Sequence, residues 1–159
     1  MIDDYLALIP AAGVGARAQL STAKQFLKIG EKTILEHAID PFIKDENCKK
    51  ICVVTNEEDD LWPSLGISDH EKITSCFGGS TRMNSVLAGL ELLIDLEDKS
   101  SLVAIHDAAR PNFTINLLKT LIRSLKNHKA VIPYINSKDS IKYKIKKQLF
   151  NLNRNNSIL

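Results

Sequence analysis

The stretch LIPAAGVGAR, residues 8–17, runs from apolar residues into a glycine-bearing turn and stops at Arg17, with a second cation, Lys24, shortly downstream. Gly13 and Gly15 let backbone N–H groups approach a ligand closely and form an anion-binding concavity. Two cations at the same place suit the phosphates of a nucleoside triphosphate. Two further clusters carry polar chemistry among small residues: GGSTR, residues 78–82, and HDAARP, residues 106–111. In the second, Asp107 is a carboxylate able to face magnesium or a substrate hydroxyl. Ala108 and Ala109 permit close approach, and Arg110 is placed to orient the carboxylate. His106 reads as a packed or hydrogen-bonded residue rather than a base.

The opening loop also fits a permissive dinucleotide fingerprint, but that motif leads directly into a helix whose N-terminus meets a pyrophosphate. Here the next convincing helix start is Thr33. The second strand of that motif ends in an acidic residue for the ribose, whereas KICVVT ends in Thr55 and Asn56. A nicotinamide cofactor is disfavoured, and no GxxxxGK[ST] stretch exists to form a P-loop.

These clusters need a scaffold. Residues 5–10 read as a short buried strand, followed by a long loop over residues 11–32. Thr33 with Glu36 forms a capping box opening a helix that runs to Ile43. Residues 50–55 are β-branched and apolar, a second strand; NEEDDLW suits a helical turn before Pro63; residues 73–77 are a third strand. Ser80 reads as the N-cap of a helix whose apolar face is Val86, Leu87, Leu90, Leu93 and Ile94. Residues 102–105 form a strand that ends in HDAARP. Thr114 opens a helix burying Leu117, Leu118, Leu121, Ile122 and Leu125, and residues 130–133 are one more strand. Strands alternating with amphipathic helices imply an α/β fold, a largely parallel sheet with helices on both faces. Ligands of such sheets bind beyond the carboxyl ends of the strands, where all three clusters fall. From Tyr134 onward SIKYKIKKQLFNLNR alternates apolar and basic residues, which suits a two-stranded hairpin turning near residues 146–148. A lone hairpin is marginal in water and needs a partner surface.

Size and composition set the outer limits. The 159 residues, 44% hydrophobic and 25% charged, suit one soluble globular domain. A net charge of +2 gives no global field for nucleic acid. The first residues do not form a secretory signal, and no apolar run approaches the ~20 residues of a membrane helix. Cys48, Cys52 and Cys76 lack paired CxxC spacing, so they are expected to be buried structural thiols in a reducing cytoplasm.

PAAGVGAR, AKQFLKIGEKTILEHAI, GGSTRMNSVLAGL and VAIHDAARP occur in this order, and together they resemble the 2-C-methyl-D-erythritol 4-phosphate cytidylyltransferase family over residues 8–154. GxGxR is shared by many sugar-nucleotide transferases; HDAARP with GGxxRxxSV is more specific, although ribitol-phosphate cytidylyltransferases look similar. The resemblance implies a Rossmann-like three-layer α/β domain over residues 1–133. A protruding β-arm hairpin that dimerises and a shortened tail fill residues 134–159. The implied reaction has the substrate's phosphate oxygen attack the α-phosphorus of CTP, releasing pyrophosphate and leaving a CDP-alcohol. Such transfer is mostly positioning and charge stabilisation.

By resemblance, Arg17 and Lys24 stabilise the transition state, each worth about 2.7–4 kcal/mol of barrier by analogy with a lost oxyanion donor. Ala11, Ala12, Gly13, Gly15 and Ala108 line the nucleotide, and Gly79 and Ser85 read the cytosine. Asp107 and Arg154 position the acceptor, Arg154 reaching in from the arm of a dimer mate. Arg82 braces its loop. Magnesium accompanies the triphosphate, with Asp107 as the one protein ligand in view. The basic residues of the hairpin then serve a dimer arm rather than a nucleic acid. Ribitol 5-phosphate or a related sugar phosphate is the alternative acceptor, and a non-catalytic CTP-binding remnant the alternative class.

The match departs from the family pattern at several places. Ala23 stands where a proline is usual, Ala18 for a common methionine, and Ser80 for a frequent aspartate. The family's DRxxLW is here Asn153-Arg154-Asn155-Asn156-Ser157-Ile158. Family chains continue well past this point, with residues that hold the substrate phosphate. The expectation for this chain as given is a nearly full CTP site, an incomplete acceptor site, weak or absent turnover, and apolar surface left exposed.

Overall fold

In the computed structural model, which describes residues 4–13, 22–96, 102–125, 128–134, 142–145 and 148–151, the apolar run after Asp4 is a strand. This strand, β1 (Tyr5–Pro10), forms because each side chain from Tyr5 to Ile9 has an apolar layer to enter, and all five are buried. The chain divides into two compact units, Met1–Leu118 and Lys119–Leu159.

Within the expected long loop lie a one-turn helix (Lys24–Phe26) and two short antiparallel strands, β2 (Lys28–Ile29) and β3 (Lys32–Thr33). Gly30 closes the turn between them at φ 63°, the left-handed region that favours glycine. The capping box then starts α1 (Ile34–Ile43) where expected. Glu36 N–H donates to Thr33 Oγ1 at 3.1 Å, and Thr33 N–H donates to Glu36 Oε2 at 2.7 Å. At the other end Lys72 Nζ donates to Ile43 O and Asp45 O at 3.1 and 2.9 Å, a cation at the negative end of the helix dipole.

The remaining strands are β4 (Cys48–Thr55), β5 (Ile73–Phe77) and β6 (Leu102–Ile105), with α2 (Arg82–Leu96) between the last two. The sheet order is β5-β4-β1-β6 and every pair is parallel. Tyr5 meets Phe42 of α1, edge to face at 6.5 Å, on one side of the sheet. Leu6, Leu8, Cys52 and Val54 pack with Leu93 of α2 on the other. The α/β class with helices on both faces is thereby observed. The step from β1 out to β5 and back across β1 to β6 reverses the winding direction. This makes a topological switch point between β1 and β6.

Several local expectations are corrected. The cap of α2 is Thr81, not Ser80: Asn84 N–H donates to Thr81 Oγ1 at 3.1 Å. Its buried positions are Ser85, Gly89 and Leu93, while Leu87 and Ile94 are exposed. The turn near Pro63 contains the proline, at Trp62–Ser64, held by Asp59 Oδ1 accepting from Leu61 N–H. β4 begins at Cys48, earlier than hydropathy suggests, because Tyr5 pairs with Cys48 across the ladder. Residues 130–133 form no strand; a strand exists only when a neighbour supplies the other half of its ladder, and none of the described strands pairs with this run.

The helix α3 (Ile115–Leu125) opens at Thr114 as expected, with Leu117 N–H donating to Thr114 Oγ1 at 3.3 Å. Leu118 is buried, whereas Leu117 is 40% exposed. In the second unit β7 (Lys142–Ile145) and β8 (Gln148–Asn151) form the expected antiparallel hairpin, Ile145 opposite Gln148. Residues 146 and 147 of the expected turn lie outside the described residues.

Cys48 and Cys52 are buried and Cys76 half-buried, and the Cys52 and Cys76 sulfurs lie 4.0 Å apart. Burial pushes the Cys48 thiol up to about 11 and the other two upward, so all three are inert structural thiols as expected. No helix among the described residues is long and apolar enough to cross a membrane.

Gly89 sets how closely α2 approaches the sheet. A Cβ there would lie 2.7 Å from Val54 Cγ2 and 2.8 Å from Leu8 Cδ1, both fully buried side chains with little room to yield. Gly89→Val is expected to destabilise the fold by about 1–3 kcal/mol through overpacking. A urea midpoint equal to that of the parent chain would refute this seat.

Candidate functional site

Because the four strands are parallel, their carboxyl ends share one edge of the sheet, and the ladder carries a step beyond each end. Ala11 N–H donates to Val54 O at 2.7 Å, Gly78 N–H to Thr55 O at 2.8 Å, and His106 N–H to Leu8 O at 3.0 Å. The three clusters named from sequence are thus registered to one another by backbone. The loops after β1 and β6 flank the switch point, where ligands of open α/β sheets bind.

The side chains close this frame. Gln25 is buried, and its amide nitrogen donates to Ala11 O at 2.7 Å and Gly13 O at 3.0 Å. A Cβ on Gly78 would stand 2.7 Å from Ala12 Cβ and 2.5 Å from Ser85 Oγ. Only glycine therefore lets the β5 loop lie against both the opening loop and α2. Gly79, assigned from the resemblance, is exposed, and Gly78 makes the tighter approach. Ser85 is buried rather than an ordinary exposed helical serine; its hydroxyl donates to Thr81 O at 3.1 Å, with Gly79 O at 3.4 Å.

Asp107 accepts from two guanidinium groups, Arg82 Nη2 to Oδ1 at 2.7 Å and Arg110 Nε to Oδ2 at 2.9 Å. Arg82 thus does brace the loop, tying the first turn of α2 to the residues after β6. The Arg82 guanidinium beside Asp107 holds its carboxyl below the ordinary range, with Arg110 adding to the effect against the cost of partial burial. His106 packs on Phe113 at 4.5 Å and Phe42 at 5.8 Å between ring centres. Its Nε2 lies 3.0 Å from Arg110 O, and burial pushes its pKa below the ordinary imidazole value. A neutral, packed imidazole donating to a carbonyl is the hydrogen-bonded histidine expected. Ala108 is buried and Ala109 exposed.

Lys24 is exposed and starts the short helical turn that contains Gln25. Ala23 before it has φ −61°, a value that proline's ring also holds, so the alanine keeps the backbone shape of the usual residue. Arg17, Gly15 and Arg154 lie outside the described residues, so the expected convergence of Arg17 with Lys24 does too. Ala12 is half-buried and Gly13 exposed. Gln25 and Gly78 were missed from sequence. A glutamine directly before a buried Phe26 was the available signal, since a buried amide must find partners.

Among the described residues no group of three His, Cys, Asp or Glu side chains comes together. Asp107 does not fit a metal ligand as it stands: both oxygens accept from guanidinium groups, whose two positive charges exceed its own.

A parallel sheet wound in both directions, with glycine and alanine loops at its switch point, defines an α/β domain of the doubly wound class. The model of the 2-C-methyl-D-erythritol 4-phosphate cytidylyltransferase family matches residues 5–154, and the chain belongs to that family. It is 40% identical over 132 residues to the enzyme of that name from Actinobacillus pleuropneumoniae, covering 83% of this chain and 57% of the relative. With the Buchnera aphidicola enzyme it shares 36% over 155 residues, 95% of this chain and 64% of that one. The crystal structure of the Francisella tularensis enzyme superposes with a TM-score of 0.78 at 31% identity, over 99% of this chain and 69% of that chain. The chain thus spans less than two thirds of the length of these two curated relatives.

A carboxyl with a depressed folded pKa contributes stability above its unfolded pKa and loses it as pH falls through the folded value. With both partners substantially solvated, that contribution is small. The titration itself is the sharper readout. The Asp107 carboxyl carbon, followed by NMR, should titrate below the ordinary aspartate range, and Arg82→Met should move the midpoint back toward it. An unchanged midpoint would show that the guanidinium contact is not formed in solution.

Proposed function

We propose that this chain binds CTP at the carboxyl edge of the sheet and transfers its cytidylyl group to 2-C-methyl-D-erythritol 4-phosphate. The product is 4-diphosphocytidyl-2-C-methyl-D-erythritol, a precursor in non-mevalonate isoprenoid synthesis. The observation that carries this reading is the backbone registration of three loops across the switch point: residues 11–13, 78–82 and 106–110. In the reaction a phosphate oxygen of the acceptor forms a bond to the α-phosphorus, and the bond from that phosphorus to the bridging oxygen breaks. Pyrophosphate leaves with the electron pair. No strong base is required, because a phosphate is already ionised at neutral pH; a half-buried His106 packed on Phe113 agrees with that.

On this reading each residue has its part. Small side chains at Ala11, Ala12, Gly13, Gly15 and Ala108 leave backbone groups open to the nucleotide, with Gly79 and Ser85 at the cytosine. Lys24 and Arg17 meet the charge that grows on the phosphates, where preorganised cations act most strongly. Asp107, oriented by Arg82 and Arg110, is a neutralised acceptor suited to a substrate hydroxyl, and Arg154 meets the acceptor phosphate. Magnesium would be held chiefly by the nucleotide's own oxygens rather than by a protein cage, and would supply charge neutralisation on the phosphates. The β7-β8 hairpin is marginal alone, which supports pairing with a second copy. The unpaired thiols support a reducing compartment, the cytoplasm.

Titration with CTP and magnesium should show saturable binding that Lys24→Ala weakens. Pyrophosphate release is then assayed with methylerythritol phosphate and, separately, with ribitol 5-phosphate. Release with the first acceptor, lowered about 10²–10³-fold by Lys24→Ala, is the expected outcome of a complete site. Binding without release from either acceptor would restrict the function to the nucleotide half. Release with ribitol 5-phosphate alone would overturn the acceptor, and no CTP binding would overturn the reading.

A further inference from the structure

Gln25 is 6% exposed, and a single atom of it, Nε2, spends both hydrogens on the opening loop, at Ala11 O and Gly13 O. The chemistry of transfer asks for no glutamine, and neither the glycines nor the cations account for it. Its consequence lies in the peptide geometry. A trans peptide is planar, with its carbonyl and N–H on opposite sides, and no peptide among the described residues is cis. Drawing the Ala11 carbonyl onto that nitrogen therefore turns the N–H of the same peptide, that of Ala12, away from Gln25. The Ala12 side chain, for its part, faces Gly78. A backbone donor left open in this way is the element from which anion-binding concavities are built.

We propose that Gln25 is a positioning residue that presets the amides of the opening loop toward the phosphates of the nucleotide. Lys24, its neighbour in the same helical turn, is delivered by the same tether. The side chain is specified closely. A glutamate would set a carboxylate against two carbonyl oxygens. A methionine of the same reach has no donor, and an asparagine withdraws both donors by one methylene. The proposal rests on the nucleotide reading above, and its test separates the two.

Calorimetric titration of the full chain, the parent against Gln25→Met, with CTP, inorganic tripolyphosphate and cytidine isolates the phosphate half from the base half. Gln25→Met is expected to weaken CTP and tripolyphosphate by about 10–100-fold, the loss of two hydrogen bonds. Cytidine binding should stay within about twofold. Gln25→Asn, the second variant should the first not fold, is expected to lose less on the same two ligands and nothing on cytidine. A purely structural role would weaken all three ligands together, in step with the melting temperature, and would overturn the proposal. So would unchanged affinity for CTP. Should the parent bind tripolyphosphate in a Gln25-dependent way but not CTP, the tether stands and the nucleotide reading falls. Should it bind neither, both fall.

Discussion

β1 is hydrogen-bonded along both edges, to β4 on one side and β6 on the other, and this double pairing dictates where every loop of the site emerges. A strand paired on both sides and buried on both faces has no freedom to slip, because a one-residue shift would send Leu6 and Leu8 to the wrong layer. The pairing continues past the last strand residues, through Ala11 to Val54 and His106 to Leu8. The loops after β1 and β6 are therefore anchored at their first residue rather than merely attached to the sheet. Short apolar strands thus act as the ruler for a polar site.

α2 transmits that ruler to the second loop. Gly89 lets it sit against Leu8 and Val54, which places Ser85 under Gly78 and points Arg82 at Asp107. The two kinds of contact differ in what they contribute. The Arg82–Asp107 pair is largely solvated, so it adds at most about 1 kcal/mol to stability, and its value is orientation. The Gln25 amide is buried, so leaving its carbonyl partners unsatisfied costs more than the net strength of the bonds themselves.

What could be read from the residues was whatever hydropathy and capping chemistry advertise. β1, β5 and β6 fell where their apolar runs begin and end, and Thr33 with Glu36 marked the start of α1 before any coordinates. The buried stripe of α2 was legible in part: Leu93, with Val86 and Leu90 packed against the same cluster, carries a hydropathy signal, whereas Ser85 and Gly89 are small and carry none. They are chosen for closeness, which only the opposing layer reveals. Residues 130–133 are as β-branched as a strand needs, yet strand formation depends on a partner ladder that no local pattern encodes. HDAARP pointed to Asp107 and to Arg110 as its orienting partner, but the second guanidinium, Arg82, comes from 25 positions away, beyond any local spacing rule. Gln25 was hidden for the same reason.

The charge pattern ties these devices together. With a net charge of only +2 the chain has no strong overall field, so attraction for an anionic ligand must be local. Arg82 and Arg110 are long, flexible cations that would lose much rotamer freedom in gripping a ligand. Asp107 offsets that entropy by holding both guanidinium groups in place, while cancelling part of their charge. Lys24 is exposed on the opposite loop, beside the carbonyls of Ala11 and Gly13 that Gln25 holds. On the proposed reading the two flanks of the switch point are built for different halves of one reaction. The side of the opening loop offers undiluted positive charge to a triphosphate. The side of Asp107 offers a fixed, partly neutralised polar surface to an acceptor carrying hydroxyl groups.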